Sequence, residues 1–298
     1  MFKIGKFHEV LLKNLDELTE HWQTVYSFRD YTNAFNVSTG NAYHGMNSLL
    51  LTFLGLNNGF KAINGWATFK QIKSLNGSVK SGAKGVPVTC KPIINEIKDE
   101  DGNVVLDEEG NPKTYKYFPH SIVFNVDDMV NVDLSKYDNS KNKVEHTVED
   151  ITLYNKVIEQ AKKKGIAIVN KEQDIAYYSP RENVVNIPHI EWLKSNGYAT
   201  LLHELIHATG HESRLNRKKG NTFGSDDYAY EELIAEIGSI ICCQHLRQDF
   251  HFDKNSIAYV KGWLNKCHKD KKDNLIINAI NDAVDAVEWL FDDFAFIQ

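Results

Sequence analysis

Five consecutive residues in the second half of the chain have the types and spacing of a hydrolytic metal centre: His203, Glu204, Leu205, Ile206 and His207. Residues four apart lie on the same face of an α-helix, so the two imidazoles can bind one metal ion together. Glu204 is offset by one residue, which places its carboxylate beside the ion, where a base can take a proton from water. We predict one Zn²⁺ ion, although another divalent transition metal could occupy the same ligands.

The segment that carries this motif has the pattern of a helix with one chemical face and one core face. No proline occurs between Tyr198 and Thr209, and the residue that follows is Gly210, a common end of a helix. The apolar side chains fall on the face away from the histidines, namely those of Leu201, Leu202, Leu205 and Ile206. The alternative is two unrelated histidines on a half-buried helix, and this apolar pattern disfavours it.

A catalytic zinc needs a third protein ligand as well as an open position. One class of sites supplies a histidine six residues after the second, but that position is Ser213 in this chain. We therefore predict that Glu232, in the next helical segment, is the third ligand, with Glu231 as its rival. Glu236 lies on the same face as Glu232 and is expected to accept an N–H from a ligand histidine and fix its tautomer. In isolation, these glutamates would be interpreted as a solvated acidic helix face.

These residues predict metal-assisted hydrolysis of a peptide bond. Glu204 is expected to act as the general base and later to return the proton to the leaving amine. A donor to the developing oxyanion is also needed, and the candidates are His211, Tyr228 and Tyr230. His211 follows the helix-ending glycine with an unfamiliar spacing, so we do not expect it to be a metal ligand.

The composition is that of an ordinary globular chain, with 298 residues, 42% hydrophobic and 25% charged, and a net charge of −6. This length suits one large domain or two medium ones. The four cysteines include no C-x-x-C pair, which favours a reducing cytosol over a disulfide framework. We find no signal peptide and no apolar stretch long enough to span a membrane, so we expect a cytoplasmic protein without a membrane partner.

Hydrophobic periodicity predicts an α+β chain of two domains. The first half is expected to contain helices near residues 7–28, 48–56 and 66–75, and strands over residues 86–97 and 113–126. These strands would flank an acidic hairpin end at residues 98–111. The second half is predicted to be mostly helical with a small β-sheet, and a polar stretch between the halves has the composition of a linker. The predicted domains are therefore residues 1–135 and 148–298, joined by a linker at residues 136–147.

Nine short segments carry a resemblance to a known family. In the second half they are residues 202–211, 213–217, 223–225, 230–236 and 258–263, and in the first half residues 38–47, 66–69, 79–85 and 123–126. They resemble the ArdC-type antirestriction proteins, which pair an N-terminal single-stranded-DNA-binding domain with a C-terminal zincin-like metallopeptidase domain. The chain departs from the family at Asn36-Val37-Ser38, where the family often has Asn-Pro. Its acidic hairpin end looks like an insertion.

The resemblance implies a protein of plasmids, phages or conjugative elements whose first domain binds single-stranded DNA. No acidic residue occurs between Asp30 and Glu96, so lysines in this part can neutralise phosphates while aromatic rings stack on bases. The predicted DNA-binding residues are Tyr43, His44, Trp66, Lys70, Lys73, Lys80 and Lys84. For Trp66 and Phe69, the alternative of packing in the core is at least as well supported, because three-residue spacing on a short helix usually means packing.

Two functions are consistent with these residues. One is a zinc peptidase that its first domain brings to an unidentified protein substrate on DNA. The other is a non-catalytic protein that coats incoming single-stranded DNA against restriction, with a zinc site that is only structural. The presence of Glu204 favours the peptidase, because a purely structural site has no need for a base beside the water.

Overall fold

The fold is given by a computed structural model. It describes residues 5–20, 26–27, 33–58, 64–91, 93–99, 101–107, 109–117, 119–137, 150–173, 175–188, 198–217, 225–246, 248–250 and 257–292. Most of the predicted linker, residues 136–147, lies outside the described residues, as do residues 21–25 and 28 of the predicted first helix. That prediction is wrong at Tyr26–Ser27, which form a strand paired with Asp249–Phe250.

The first half of the chain alternates helices with short strands. Its helices are α1 (Lys6–Glu20), α2 (Gly45–Asn58) and α3 (Phe69–Ser74). Its strands are β1 (Tyr26–Ser27), β2 (Phe35–Asn36), β3 (Gly65–Thr68), β4 (Ser78–Val79), β5 (Val86–Thr89), β6 (Ile93–Glu96), β7 (Thr114–Tyr117), β8 (His120–Asn125) and β9 (Met129–Val130).

The second half is mostly helical. Its helices are α4 (Asp150–Lys163), α5 (Tyr198–Thr209), α6 (Asp226–Leu246), α7 (Ile257–Lys269) and α8 (Asp273–Phe291). Its strands are β10 (Ala167–Asn170), β11 (Tyr177–Ser179), β12 (Val184–Ile187) and β13 (Asp249–Phe250). The prediction of a two-domain α+β protein with a helical second half and a small sheet is confirmed.

Among the described residues, two sheets have more than two strands, and the remaining strands form two-stranded pairs. The first half contains a four-stranded sheet in the order β2-β3-β8-β5, and the second half contains a three-stranded sheet in the order β10-β12-β11. In the smaller sheet β10 runs parallel to β12, whereas β11 pairs with β12 in the antiparallel sense and forms an edge. That edge lies against α5 and contributes to the site described below.

Two sequence predictions in the first half are corrected by this sheet. The segment that starts at Trp66 is not the first turn of a helix, because Gly65–Thr68 forms strand β3 between β2 and β8. The helix begins at Phe69, where Thr68 and Gln71 cap its first turn reciprocally. The predicted single hairpin also divides into two pairs, β5 with β8 in the sheet and β6 with β7 in a separate ribbon.

The largest hydrophobic core belongs to both halves of the chain. The apolar positions of α1 recur every three or four residues, and all of Phe7, Leu11, Leu15 and Leu18 are buried. They join one continuous cluster that also contains Leu49, Leu50 and Phe53 of α2 and the buried faces of α5, α6, α7 and α8. The first two helices therefore pack as part of the helical second half.

Polar contacts also connect the halves. The hydroxyl of Thr52 on α2 donates a hydrogen bond of 2.5 Å to Oε1 of Gln244 on α6, and both side chains are buried. Strand β1 pairs with β13 in the antiparallel sense, with Tyr26 opposite Phe250. The helix that carries the predicted third metal ligand is thus in direct contact with the first half of the chain.

Within the described part of the chain, every helix is too short or too polar to cross a bilayer.

Candidate metal centre

The H-E-x-x-H motif lies on α5, and α5 packs closely against α6. The side chain of Ile206 faces Gly238, and a Cβ atom built on that glycine would lie 2.9 Å from Ile206 Cγ1. Real Cβ atoms do not approach a neighbour so closely, so glycine at this position allows the two helices to lie near each other. This close approach brings the glutamates of α6 to the histidines of α5.

His203, His207 and Glu232 converge between the two helices. The Nε2 atoms of the two imidazoles lie 3.1 Å apart. Glu232 Oε2 is 3.4 Å from His203 Nε2, and Glu232 Oε1 is 3.7 Å from His207 Nε2. The potential ligand atoms of these three side chains all lie within 4.8 Å of one another. Among the described residues, no other group of three or more His, Cys, Asp or Glu side chains meets this criterion. Two imidazole nitrogens and a carboxylate oxygen form the donor set of a catalytic zinc, so these residues fit the predicted metal.

The outward nitrogens of both imidazoles face carboxylates of α6. His207 Nδ1 lies 3.2 Å from Glu231 Oε1, which is a hydrogen bond. His203 Nδ1 lies 3.8 Å from Glu236 Oε1, which is too long for one. Glu231, the rival of Glu232 as third ligand, therefore lies behind His207, and Glu236 lies behind His203.

Glu204 is held beside this cluster by the edge of the small sheet. Its Oε2 atom accepts a hydrogen bond of 2.7 Å from the backbone N–H of Tyr178 on β11. The bond fixes one carboxylate oxygen and with it the orientation of the side chain. A backbone donor serves this purpose well, because its position is determined by the strand and not by a flexible side chain.

Burial and neighbouring charges divide the glutamates into two kinds. Burial raises the pKa of Glu204 above its ordinary value, and the charges of His203 and His207 oppose this effect only in part. Burial would also raise the pKa of Glu232, but the hydrogen bond from His203 and the charges of both histidines lower it to about 2. Glu232 is thus a carboxylate at neutral pH, as a metal ligand must be, whereas Glu204 has a raised affinity for a proton.

His203 and Glu231 show the same balance between burial and charge. Burial lowers the pKa of His203, but the hydrogen bond to Glu232 and the charge of Glu236 raise it to about 10. Burial raises the pKa of Glu231, but hydrogen bonds from His207 and Arg217 bring it below its ordinary value. At both residues, hydrogen bonds and opposite charges therefore outweigh the effect of burial on the pKa.

The three candidates for the oxyanion donor are placed differently. The hydroxyl of Tyr228, one turn before Glu232 on α6, donates a hydrogen bond to that carboxylate. The hydroxyl of Tyr230 donates to Asp282 on α8 at 2.7 Å and so points to another part of the molecule. Nδ1 of His211 accepts the backbone N–H of Ser213 at 3.1 Å. Tyr228 is thus the candidate that contacts the cluster.

Sequence analysis identifies neither Arg217 nor Tyr178 as a site residue. Arg217 lies after the end of α5 and forms a salt bridge with Glu231. Tyr178 donates its backbone N–H to Glu204. Arg217 does fall in a segment shared with the family, residues 213–217, but its spacing from the motif gives no indication of its partner. A backbone donor such as that of Tyr178 leaves no trace in the residue type, so only the fold reveals it.

The residues predicted to bind DNA lie mostly on the surface of the first half. Four lysines and one histidine are exposed, namely Lys70, Lys73, Lys80, Lys84 and His44. Tyr43 is half-buried, and its hydroxyl accepts a hydrogen bond of 3.3 Å from the side-chain amide of Asn36. These side chains are therefore accessible, fully or in part, to a ligand on this surface.

The prediction that Trp66 binds DNA is wrong. Only 2% of its side chain is exposed, and its indole N–H donates a hydrogen bond of 2.6 Å to Asn64. A ring enclosed in the core of the sheet cannot stack on a base. Phe69 is the aromatic side chain that α3 exposes instead, at 49%, with Nζ of Lys73 lying 5.0 Å from its ring centroid.

Two family models match the chain. The N-terminal domain of the antirestriction factor ArdC matches residues 5–124, and a zincin-like metallopeptidase domain matches residues 156–282. The matched ranges correspond to the two halves in which the structure places the lysine-bearing surface and the metal cluster.

Similar proteins are known in sequence and in structure. The crystal structure of metal-free antirestriction ArdC from plasmid R388 aligns over 98% of both chains with a TM-score of 0.71 and 28% identity. Its Mn(II)-bound structure aligns over 99% of this chain and 100% of that one, with a TM-score of 0.65 and 27% identity. The DNA primase TraC of Escherichia coli is 32% identical in an alignment of 270 residues that covers 87% of this chain and 18% of TraC. The chain thus spans about a fifth of the TraC primases that it matches.

Proposed function

Because this chain belongs to the ArdC-type antirestriction proteins, with an ArdC N-terminal domain followed by a zincin-like metallopeptidase domain, we propose that it is a metal-dependent peptidase that binds single-stranded DNA. The proposal assigns hydrolysis of an unidentified protein substrate to the second half of the chain. It assigns DNA binding to the first half, and an antirestriction role on a mobile genetic element to the whole protein.

The observation that carries the peptidase proposal is the position of Glu204 beside the three clustered ligand atoms. His203, His207 and Glu232 would hold a divalent cation, and Zn²⁺ suits two imidazoles and one carboxylate. When bound, such an ion lowers the pKa of water towards about 7 and polarises a substrate carbonyl. Glu204 has one oxygen fixed by the N–H of Tyr178, which leaves Oε1 to take the proton and return it to the leaving amine.

We expect the purified protein to bind about one divalent ion per chain, as two imidazoles and one carboxylate suffice for one catalytic site. Replacing Glu232 with alanine should lower the affinity for Zn²⁺ by more than the roughly 10–100-fold that is typical of residues behind the ligands. Titration of apoprotein with Zn²⁺ against a chromophoric chelator measures this affinity, and a chelator should also abolish peptide hydrolysis. A Glu232→Ala variant with the affinity of the unaltered protein would remove Glu232 from the ligand set.

The DNA-binding proposal rests on the exposed side chains of α3 and of the loop that follows β4. Lys70, Lys73, Lys80 and Lys84 can neutralise phosphates, and the exposed ring of Phe69 can stack on a base. Single-stranded DNA is the expected ligand because it presents both unpaired bases and phosphates to such a surface. Tyr43 and His44 lie in the loop before α2 and are proposed to extend it.

A double substitution on α3 tests this surface. Lys70→Gln with Lys73→Gln should weaken binding to an oligo-dT strand and reduce the slope of log K against log salt by about 1.4, since each phosphate contact contributes about 0.7. Fluorescence anisotropy at several salt concentrations measures both quantities. The matched control is Lys162→Gln with Lys163→Gln on α4, which changes the net charge equally at two other exposed lysines. Equal slopes for the two double variants would contradict a DNA contact at α3.

A further inference from the structure

The guanidinium of Arg217 is enclosed between α5, which carries the two histidines, and α6. Its side chain is 7% exposed. Nη2 and Nε donate to Oε1 and Oε2 of Glu231 at 2.8 Å and 3.1 Å, which is the two-bonded arrangement that a planar guanidinium favours. Nη1 donates to Thr209 Oγ1 at 2.7 Å, and Nη2 also donates to the carbonyl of Ile206 at 2.9 Å. One side chain thus connects the end of α5 to a glutamate of α6.

Gly210 shows how closely this arginine is packed. A Cβ atom on Gly210 would lie 2.9 Å from Nη2 of Arg217 and 3.0 Å from its Cζ. The glycine therefore does more than end the helix, because its missing side chain is the space that the guanidinium fills. The position of the guanidinium is set by its surroundings on several sides.

Glu231 connects Arg217 to His207, one of the predicted metal ligands. Its Oε1 atom accepts from Arg217 and also lies 3.2 Å from Nδ1 of His207. A carboxylate that accepts from Nδ1–H leaves Nε2 of the imidazole without a proton and fixes the plane of the ring. Nε2 is the atom that faces His203 and Glu232.

We propose that Arg217 is a positioning residue for the metal centre, and that it acts by holding Glu231 behind His207. This inference rests on the proposed function, since it requires that His203, His207 and Glu232 bind the ion. By engaging both oxygens of Glu231, Arg217 holds that carboxylate where its Oε1 atom faces Nδ1 of His207, and so keeps Nε2 of the ring directed at His203 and Glu232.

The neighbouring Arg214 provides a matched comparison. It also binds the end of α5, donating to the carbonyl of Ala208 at 2.9 Å, and it donates to Asn183 and to the carbonyl of Gly165. It contacts backbone, an amide and the hydroxyl of Tyr178, whereas Arg217 contacts a glutamate that hydrogen-bonds to a histidine of the cluster. Both arginines thus stabilise the same segment, and the contact with Glu231 distinguishes Arg217.

The test is the Zn²⁺ affinity of the full-length apoprotein, measured by competition with a chromophoric chelator. Arg217→Gln should lower the affinity by about 10–100-fold, the range for residues that orient metal ligands. Arg214→Gln should lower the melting temperature and leave the Zn²⁺ affinity unchanged. A loss in Arg217→Gln no larger than that in Arg214→Gln would overturn the proposal.

A double-variant cycle separates positioning from general stabilisation. Because Arg217 acts through Glu231, the variant carrying both Arg217→Gln and Glu231→Gln should bind Zn²⁺ as tightly as Glu231→Gln alone. If the double variant instead lost Zn²⁺ affinity by the product of the two single-variant factors, Arg217 would act independently of Glu231, and the proposal would fail. Failure of the unaltered protein to bind Zn²⁺ would instead overturn the proposed function, and this inference with it.

Discussion

Glu204→Gln is expected to lower peptide hydrolysis by roughly 10²–10⁴-fold while leaving the metal content unchanged, since that is the usual contribution of a general base. The amide keeps an oxygen that can accept from the N–H of Tyr178, so the side chain should stay in place. It cannot take up a proton at neutral pH, and this is the property that the buried carboxylate supplies. Digestion of a complex peptide library, followed by mass spectrometry, measures the loss without knowledge of the natural substrate.

Metal content and thermal stability are the controls for this variant. Both should match those of the unaltered protein, because Glu204 is not one of the clustered ligand residues. Hydrolysis at the unaltered rate would remove Glu204 from its role. A variant that loses hydrolysis but still protects incoming unmodified DNA in a restricting host would favour the non-catalytic coat for the antirestriction role.

The sequence is most informative where the chemistry depends on local periodicity. A spacing of four on a helix is enough to place His203 and His207 on one face, because the helix geometry is the same in every protein. The ArdC-type family and the two-domain α+β fold were also predictable, and the comparisons and the fold confirm them. The partners of the histidines on α6 depend instead on how two helices pack, which Gly238 and Ile206 determine at long range.

The errors in the first half have a common physical cause. A short apolar segment such as the one at Trp66 has no periodicity that separates a central strand from a buried helix. Its burial on both faces of β3 follows from the neighbours β2 and β8, which are distant in sequence. The same uncertainty made Trp66 a candidate for base stacking, although the exposed aromatic ring belongs to Phe69.

A fragment of residues 148–298, the predicted peptidase domain alone, is expected not to fold. Eight buried apolar side chains of α1 and α2 belong to its core: Phe7, Leu11, Leu12, Leu15, Leu18, Leu49, Leu50 and Phe53. At about 1.5–3 kcal/mol for each buried side chain, their removal costs roughly 12–24 kcal/mol, which is as large as the whole stability of a typical domain, about 5–15 kcal/mol, or larger. The fragment also loses the hydrogen bond from Thr52 to Gln244 and the strand that pairs with β13. Circular dichroism during heating should show no cooperative transition.

The control is a deletion that removes a surface segment and leaves the shared core intact. The described residues at the end of the β6–β7 ribbon, 98–99, 101–107 and 109–112, lie outside the shared core, and Leu106 among them is 53% exposed. Because Ile97 N–H donates to the carbonyl of Lys113, a two-residue turn in place of residues 98–112 can close the ribbon without changing its register. The protein with this deletion should unfold cooperatively near the melting temperature of the unaltered protein. If the 148–298 fragment did the same, α1 and α2 would be dispensable, and the two halves would be independent domains.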